Sequence, residues 1–210
     1  MNNEPAIVVL AAGTGSRYRG KQHKLSETLG GMSVLMRTLR NALDTQLPVV
    51  LVVSAALAPK VSGLVPKRDL MVVDPVSQAT WGMGDSIATG VSLRASAQGW
   101  LVLPGDMPLV RPESLRAVAA ALDLHPVVYA QHRGRQGHPV AFQSELYSQL
   151  VMLKGDKGAK KVMDSFPSLA IELDDPGVLI DIDTIEDLAE ARRMLGDPDV
   201  GAPSSAASSS

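Results

Sequence analysis

Residues Val8–Leu25, VVLAAGTGSRYRGKQHKL, begin as an apolar strand, break into a glycine-rich loop and end in a basic segment. A strand that runs straight into such a loop predicts a loop at the carboxyl edge of an α/β sheet, where open α/β folds bind ligands. Gly13 and Gly15 allow the backbone to turn and bring its N–H groups close to an anion. The stretch therefore predicts an anion-binding loop directly after the first strand.

Basic side chains follow this loop at Arg17, Arg19, Lys21 and Lys24. Together they can neutralise several negative charges, which suits a polyphosphate better than a single carboxylate. The Walker pattern is absent, and Tyr18 stands where a dinucleotide-binding fingerprint requires glycine. The alternative interpretation is a solvated turn that carries basic side chains by chance.

The rest of the chain alternates short apolar runs with amphipathic stretches. The runs lack a polar face, as expected of strands covered on both sides, and lie at 6–10, 49–53, 70–73, 100–103 and 127–130. Helices are expected at 33–43, 85–95, 112–124, 144–153, 158–165 and 184–195, with further strands at 140–142 and 179–182. This order predicts a three-layer, Rossmann-like α/β domain with a central, mostly parallel sheet.

Composition limits the possible functions. Hydrophobic residues make up 45% of the 210 residues and charged residues 20%, as in an ordinary globular protein. The formal net charge is -2 and aromatic residues make up only 3%, so neither nucleic acid nor a membrane surface is an expected partner. The chain has no cysteine and no basic, apolar leader at its start, which favours a cytoplasmic protein.

The length predicts one domain, residues 1–195. The segment 196–210 ends in APSSAASSS and has almost nothing to bury, so we expect a disordered tail.

Carboxylates follow two other strands of the expected sheet. Asp106 lies just beyond the run at 100–103. Asp181, within VLIDI at 178–182, and Asp183, directly after it, alternate with apolar residues, which would put both on one face of a strand. Asp106 and Asp183 are suitable oxygen ligands for a phosphate-bound Mg²⁺, which takes only one or two carboxylates. The alternatives are an Asx turn for Asp106 and a helix-capping role for Asp183.

Three segments together resemble the MobA-like nucleotidyltransferase superfamily: L-A-A-G-T-G-S-R followed by Lys24, L-P-G-D-M-P-L around Asp106, and D-I-D-T-I-E-D-L near the end. The segments G-M-G-D-S-I-A-T-G at 82–90, R-Q-G-H-P-V-A-F at 135–142 and L-K-G-D-K-G-A at 153–159 look like its molybdenum cofactor cytidylyltransferase branch. The resemblance covers residues 7–195 and implies a nucleotidyltransferase fold of the nucleotide-diphospho-sugar transferase type.

The resemblance implies that CMP passes from CTP to the terminal phosphate of molybdopterin, with release of pyrophosphate. Lys24, Arg17 and Asp106 would be catalytic, and Asp106 and Asp183 would hold Mg²⁺. The nucleotide would be bound by Leu10, Ala11, Ala12, Gly13, Thr14, Gly15 and Ser86, together with Asp106. The implied partners are CTP, the phosphorylated pterin, and a molybdenum hydroxylase or its maturation factor.

The acceptor side is assigned by the same resemblance to Arg135, Gly137 and His138, where imidazole and guanidinium groups could bind the pterin phosphate. A structural turn is the alternative for His138. Asp85 and Ser86 could instead serve only to cap the helix that follows Gly84.

Two assignments stay open at this point. The family usually has glycine soon after the arginine and then the lysine, whereas here both Lys21 and Lys24 follow; Leu25 after Lys24 matches the family's K-L ending and favours Lys24. Ala12, where guanylyl relatives tend to have glycine, favours cytosine. Transfer of another nucleotide to a sugar, isoprenoid-precursor or phospholactate phosphate is the alternative, as is a cofactor-binding protein without turnover.

Overall fold

The computed structural model describes residues 4–15, 18–20, 22–74 and 80–197. Its strands are β1 (Ala6–Ala11), β2 (Thr28–Leu29), β3 (Met32–Ser33), β4 (Val49–Ser54), β5 (Leu70–Val73), β6 (Gly99–Pro104), β7 (Val127–His132), β8 (Arg135–Gln143) and β9 (Ser168–Glu172). Its α-helices are α1 (Val34–Leu43), α2 (Met83–Leu93), α3 (Pro112–Ala121), α4 (Tyr147–Val151), α5 (Lys160–Ser165) and α6 (Ile185–Leu195).

The central sheet of the described residues has seven strands in the order β5-β4-β1-β6-β8-β7-β9. Strands β5, β4, β1 and β6 are parallel neighbours. Strand β8 runs antiparallel to both β6 and β7, and β9 is parallel to β7. Strand β8 is therefore the one strand of this sheet that runs antiparallel to the other six, and the predicted mostly parallel sheet is confirmed.

Helices cover both faces of this sheet, and β1 shows how the sequence achieves it. Ile7 and Val9 pack into the core with α1, α3 and α6, whereas Ala6 and Val8 pack into the core with α2, α4 and α5. Successive strand side chains point to opposite faces, so an uninterrupted apolar run buries both sides. The expected three-layer α/β architecture is confirmed.

Some expected elements differ from the structure. Residues 179–182 are not a strand: a 3-10 turn at Pro176–Leu179 leads into an extended segment outside the sheet. Strand β9 was not expected, and β8 begins at Arg135, so the segment predicted as a loop before residue 140 belongs to the sheet. Helix α2 begins at Met83, ahead of the expected Asp85.

The carboxyl ends of β1 and β6 lie side by side. Leu10 pairs with Pro104 in the parallel ladder, and the Gly105 N–H donates to the Leu10 carbonyl at 2.8 Å. The glycine loop after β1 and the turn that carries Asp106 are therefore neighbours at one edge of the sheet.

The end of α6 lies at the boundary of the expected tail. Gly196 ends the helix with a left-handed backbone, and the Asp197 carboxylate accepts a hydrogen bond from the Gly30 N–H at 2.5 Å. The rest of the expected tail lies outside the described residues.

Candidate active site

A cavity of about 330 Å³ opens at the carboxyl edge of the sheet, between the glycine loop and the N-terminus of α2. It brings together most of the residues singled out in the sequence. Its lining consists of Leu10, Ala11, Ala12, Gly13, Thr14, Gly15, Lys24, Leu25, Trp81, Gly82, Met83, Ser86, Pro104, Asp106, Asp156 and Asp183.

The glycine loop presents backbone donors to this cavity. The N–H groups of Gly13, Thr14 and Gly15 have no hydrogen-bond acceptor within the part of the chain that the structure describes. Gly15 has φ +65°, a left-handed conformation that favours glycine. Consecutive unpaired amides in such a loop form a concavity suited to an anion.

Lys24 is the electrostatic centre of the site. Its Nζ donates to Asp106 Oδ2 and to Asp183 Oδ1, each at 2.6 Å. The lysine side chain is 12% exposed, and the two aspartates are 17% and 19% exposed. Burial alone would lower the pKa of Lys24, but the two carboxylates outweigh it and raise the pKa above its ordinary value. Lys24 therefore carries its charge inside the cavity.

Asp183 reaches Asp106 through backbone contacts rather than through a strand. The Ile182 N–H donates to the Asp106 carbonyl at 2.9 Å, which ties the segment before α6 to the end of β6. Asp187 accepts from the Asp183 N–H at 3.0 Å and forms a capping box with Thr184. The start of α6 thus holds Asp183 in place.

Asp181 belongs to the same acidic neighbourhood but does not line the cavity. Burial raises its pKa, and the nearby charges of Asp106 and Asp183 raise it further. The prediction that Asp181 and Asp183 lie on one face of a strand was wrong, because these residues are not in a strand.

The donor set fits a divalent cation. Asp106 Oδ1 is buried and has no hydrogen-bond partner among the residues that the structure describes, so it retains the capacity to bind a positive charge. Among the described residues, no three His, Cys, Asp or Glu side chains are placed to form a metal cage. Mg²⁺ fits a site of one or two carboxylates because water and phosphate complete its coordination.

The N-terminus of α2 forms the opposite wall. Asp85 accepts from the Gly82 N–H at 3.0 Å and from the Gly155 N–H at 2.8 Å, so it caps the helix, as the sequence suggested, and fixes the loop that carries Asp156. The Ser86 hydroxyl accepts from Trp81 Nε1 at 2.8 Å and therefore supports this wall from within. Sequence reasoning did not place Trp81 in the site; its position just before a glycine-rich helix start was the available signal.

The residues assigned to the acceptor side lie apart from this lining. Arg135, Gly137 and His138 are all in β8, and none of them lines the cavity. His138 Nδ1 is buried and has no hydrogen-bond partner within the described part of the chain. Burial lowers the pKa of His138, although the charges of Asp106 and Asp181 act in the opposite direction. Their role toward an acceptor stays a prediction.

Arg17 and the alternative lysine, Lys21, lie outside the described residues. The structure therefore places only Lys24 of the two lysines, and it places that residue between the two aspartates.

No helix in the described ranges is long and apolar enough to cross a membrane.

Residues 7–171 match the family model of the MobA-like NTP transferase domain.

Two curated relatives differ in how much of their length they share. The purine catabolism protein PucB of Bacillus subtilis is 34% identical over 206 residues, covering 91% of this chain and 98% of PucB. The bifunctional protein GlmU of Alkalilimnicola ehrlichii is 36% identical over 123 residues, covering 59% of this chain but only 26% of GlmU.

Solved structures show the same fold. Rv0371c of Mycobacterium tuberculosis H37Rv superposes with a TM-score of 0.78 at 25% identity, covering 92% of this chain and 99% of Rv0371c. The same protein has been solved in complex with manganese, and that structure superposes with a TM-score of 0.74 at 24% identity.

Proposed function

This chain belongs to the MobA-like NTP transferase family, and on that premise we propose that it transfers CMP from CTP to the terminal phosphate of the molybdenum–molybdopterin cofactor, releasing pyrophosphate. Nucleotidyl transfer is the activity of the family. The choice of CTP, Mg²⁺ and the pterin is the finer assignment that we propose.

One observation carries the chemistry: Lys24 lies between Asp106 and Asp183 in the cavity that the glycine loop borders. A buried cation beside two carboxylates and a row of unpaired amides suits a polyphosphate and its counter-ion. The same set serves no Ser-His-Asp type of catalysis, because it offers no nucleophile paired with a base.

In the proposed reaction the amides of Gly13, Thr14 and Gly15 bind the triphosphate, and Arg17 assists them. The Lys24 ammonium contacts a phosphate oxygen on which negative charge increases in the transition state. Leu10, Ala11, Ala12 and the start of α2 at Ser86 bound the nucleotide.

Asp106 and Asp183 would hold Mg²⁺. When bound, this ion supplies positive charge to the phosphate oxygens and orients them for displacement. The manganese complex of Rv0371c supports a divalent ion in proteins of this fold.

An oxygen of the acceptor phosphate attacks the α-phosphorus of CTP, and the bond between that phosphorus and the bridging oxygen of the β-phosphate breaks. The electron pair leaves with pyrophosphate. Because a phosphate monoester has its second pKa at about 6, the acceptor is already largely ionised near neutral pH. The chain therefore needs to position and neutralise charge, and a general base is not required.

The pterin assignment rests on the segment 135–142, which carries Arg135, Gly137 and His138 in β8. Ala12 stands where guanylyl relatives tend to have glycine, and this difference supports cytosine over guanine. We further propose a molybdenum hydroxylase or its maturation factor as the recipient of the product. The link of PucB to purine catabolism is consistent with such a recipient.

Thermal stabilisation by CTP, GTP, ATP and UTP, each with and without Mg²⁺, tests the nucleotide assignment, because a ligand that binds only the folded state raises its melting temperature. We expect the largest shift with CTP and Mg²⁺, and its loss in Asp106→Asn. The exposed Asp164→Asn is the matched control and should retain the shift. A larger shift with another nucleotide would redirect the search to another acceptor, and no shift with any would favour a binding protein without turnover.

A further inference from the structure

His23 connects the glycine loop to the turn that carries Lys24. Its Nε2 lies 3.1 Å from the Gly13 carbonyl oxygen, on the loop side. Its Nδ1 accepts a hydrogen bond from the Leu25 N–H at 3.2 Å, which caps the 3-10 turn Lys24–Ser26. One imidazole ring thus contacts both segments that border the cavity.

These two contacts define the tautomer of the ring. The Leu25 N–H is a donor, so Nδ1 must be unprotonated to accept from it. The Gly13 carbonyl is an acceptor only, so Nε2 must carry the proton that it donates. Only the neutral Nε2–H imidazole satisfies both partners at once.

The contact also accounts for the direction of the loop. The Gly13 carbonyl oxygen is engaged by His23, whereas the N–H groups of Gly13, Thr14 and Gly15 have no acceptor among the described residues. The ring also packs closely on Gly15: a Cβ at that position would lie 3.1 Å from Nε2. His23 therefore contacts the loop at Gly13 and packs against Gly15.

We propose that His23 is a positioning residue that holds the glycine loop and Lys24 as one preorganised unit for the triphosphate. This inference rests on the proposed nucleotidyl transfer. His23 itself touches no reacting atom; it acts through the loop amides on one side and through the Lys24 turn on the other.

Two amide variants separate the two contacts. His23→Asn retains an acceptor near the position of Nδ1 but cannot reach Gly13, whereas His23→Gln can retain a donor near Nε2 but loses the acceptor for Leu25. We expect His23→Asn to raise the KM for CTP about fivefold with kcat nearly unchanged, since one hydrogen bond that orders the loop is lost. We expect His23→Gln to keep KM within about twofold and to lower kcat about fivefold, since the turn that positions Lys24 loosens.

Comparing His23→Asn with His23→Gln also tests whether His23 only stabilises the fold. Each variant loses one hydrogen bond, so both melting temperatures should fall by similar amounts while KM and kcat move separately. Equal changes of KM and kcat in the two variants, or wild-type kinetics in both, would overturn the proposal.

A second measurement does not depend on the nucleotide. Imidazole ¹⁵N resonances of the free protein, assigned to His23 by their loss in His23→Asn, should show the Nε2–H tautomer. An Nδ1–H tautomer or an average of both would overturn the proposed connection whatever the enzyme binds. If the tautomer is as proposed but wild-type protein neither binds nor turns over any nucleotide, the proposed function fails and the role of His23 in preparing a nucleotide site falls with it.

Discussion

Replacing Lys24 by methionine removes the positive charge from between Asp106 and Asp183 while keeping a side chain of similar length. At 2.6 Å, each of the two ion pairs has a Coulomb attraction of about 6 kcal/mol at an effective dielectric constant of about 20. Much of this is offset by the cost of burying the charges. Removing one partner of a buried pair typically costs about 3–5 kcal/mol, and the partial exposure of these groups favours the lower end.

We therefore expect Lys24→Met to lower the free energy of unfolding by about 3 kcal/mol at neutral pH. Urea-induced unfolding followed by circular dichroism measures it. Lys160→Met is the matched control, because Lys160 pairs with Asp164 at 3.0 Å with both side chains largely exposed. That variant should lose at most about 1 kcal/mol. If Lys24→Met were as stable as Lys160→Met, the ion pairs could not be holding the site together.

Three further predictions follow from other contacts. Asp187→Asn should lower the free energy of unfolding by about 1 kcal/mol at pH 7. Burial would raise the pKa of Asp187, but hydrogen bonds at the start of α6 outweigh it and lower the pKa below 3.8. The contribution of Asp187 to folding stability is therefore present above that pH and disappears in acid. Denaturation at a series of pH values will measure this loss. Arg94→Met should cost about 3 kcal/mol in urea unfolding, because it leaves the buried Asp69 carboxylate without its two contacts at 2.5 and 2.6 Å; unchanged stability would refute this, and nucleotide affinity should not change. Gly15→Ala should weaken CTP binding about tenfold in calorimetry, since a left-handed backbone costs a side chain about 1–2 kcal/mol and the new Cβ approaches His23; wild-type affinity would contradict it.

The parallel half of the sheet was predictable because strands buried on both faces carry uninterrupted apolar runs. On the other side of β6, β7 carries such a run at 127–130, but strand β9 and the first residues of β8 lack this signal. Strand β9 lies at the sheet edge and none of its residues is fully buried; the apolar run within SLAIE is only three residues long. The first residues of β8 are polar or contain glycine and proline, and they join the sheet through their hairpin with β7.

The wrong strand at 179–182 has a different cause. VLIDI alternates as a strand should, but the preceding Asp175 accepts hydrogen bonds from the N–H groups of Arg111 and Gly177, which fixes a 3-10 turn there. The following backbone then pairs with Asp106 instead of with a strand.

The candidate site was largely predictable by residue type, since the loop, Lys24, Asp106 and Asp183 all follow from the motifs and meet in one cavity. Their connections were not predictable. The lysine appeared to be a phosphate ligand only, and nothing in the sequence indicated that it joins the two aspartates. The sequence did not single out His23, because its two partners are backbone groups that a side-chain pattern does not reveal.

The proposed transfer of CMP to the pterin is tested by incubating the protein with CTP, Mg²⁺ and molybdenum–molybdopterin, followed by mass spectrometry of the products and measurement of pyrophosphate. We expect one CMP joined to the pterin phosphate for each pyrophosphate released, with loss of both products in Lys24→Met. Pyrophosphate without the dinucleotide, the same product formed only from GTP, or full turnover in Lys24→Met would contradict it.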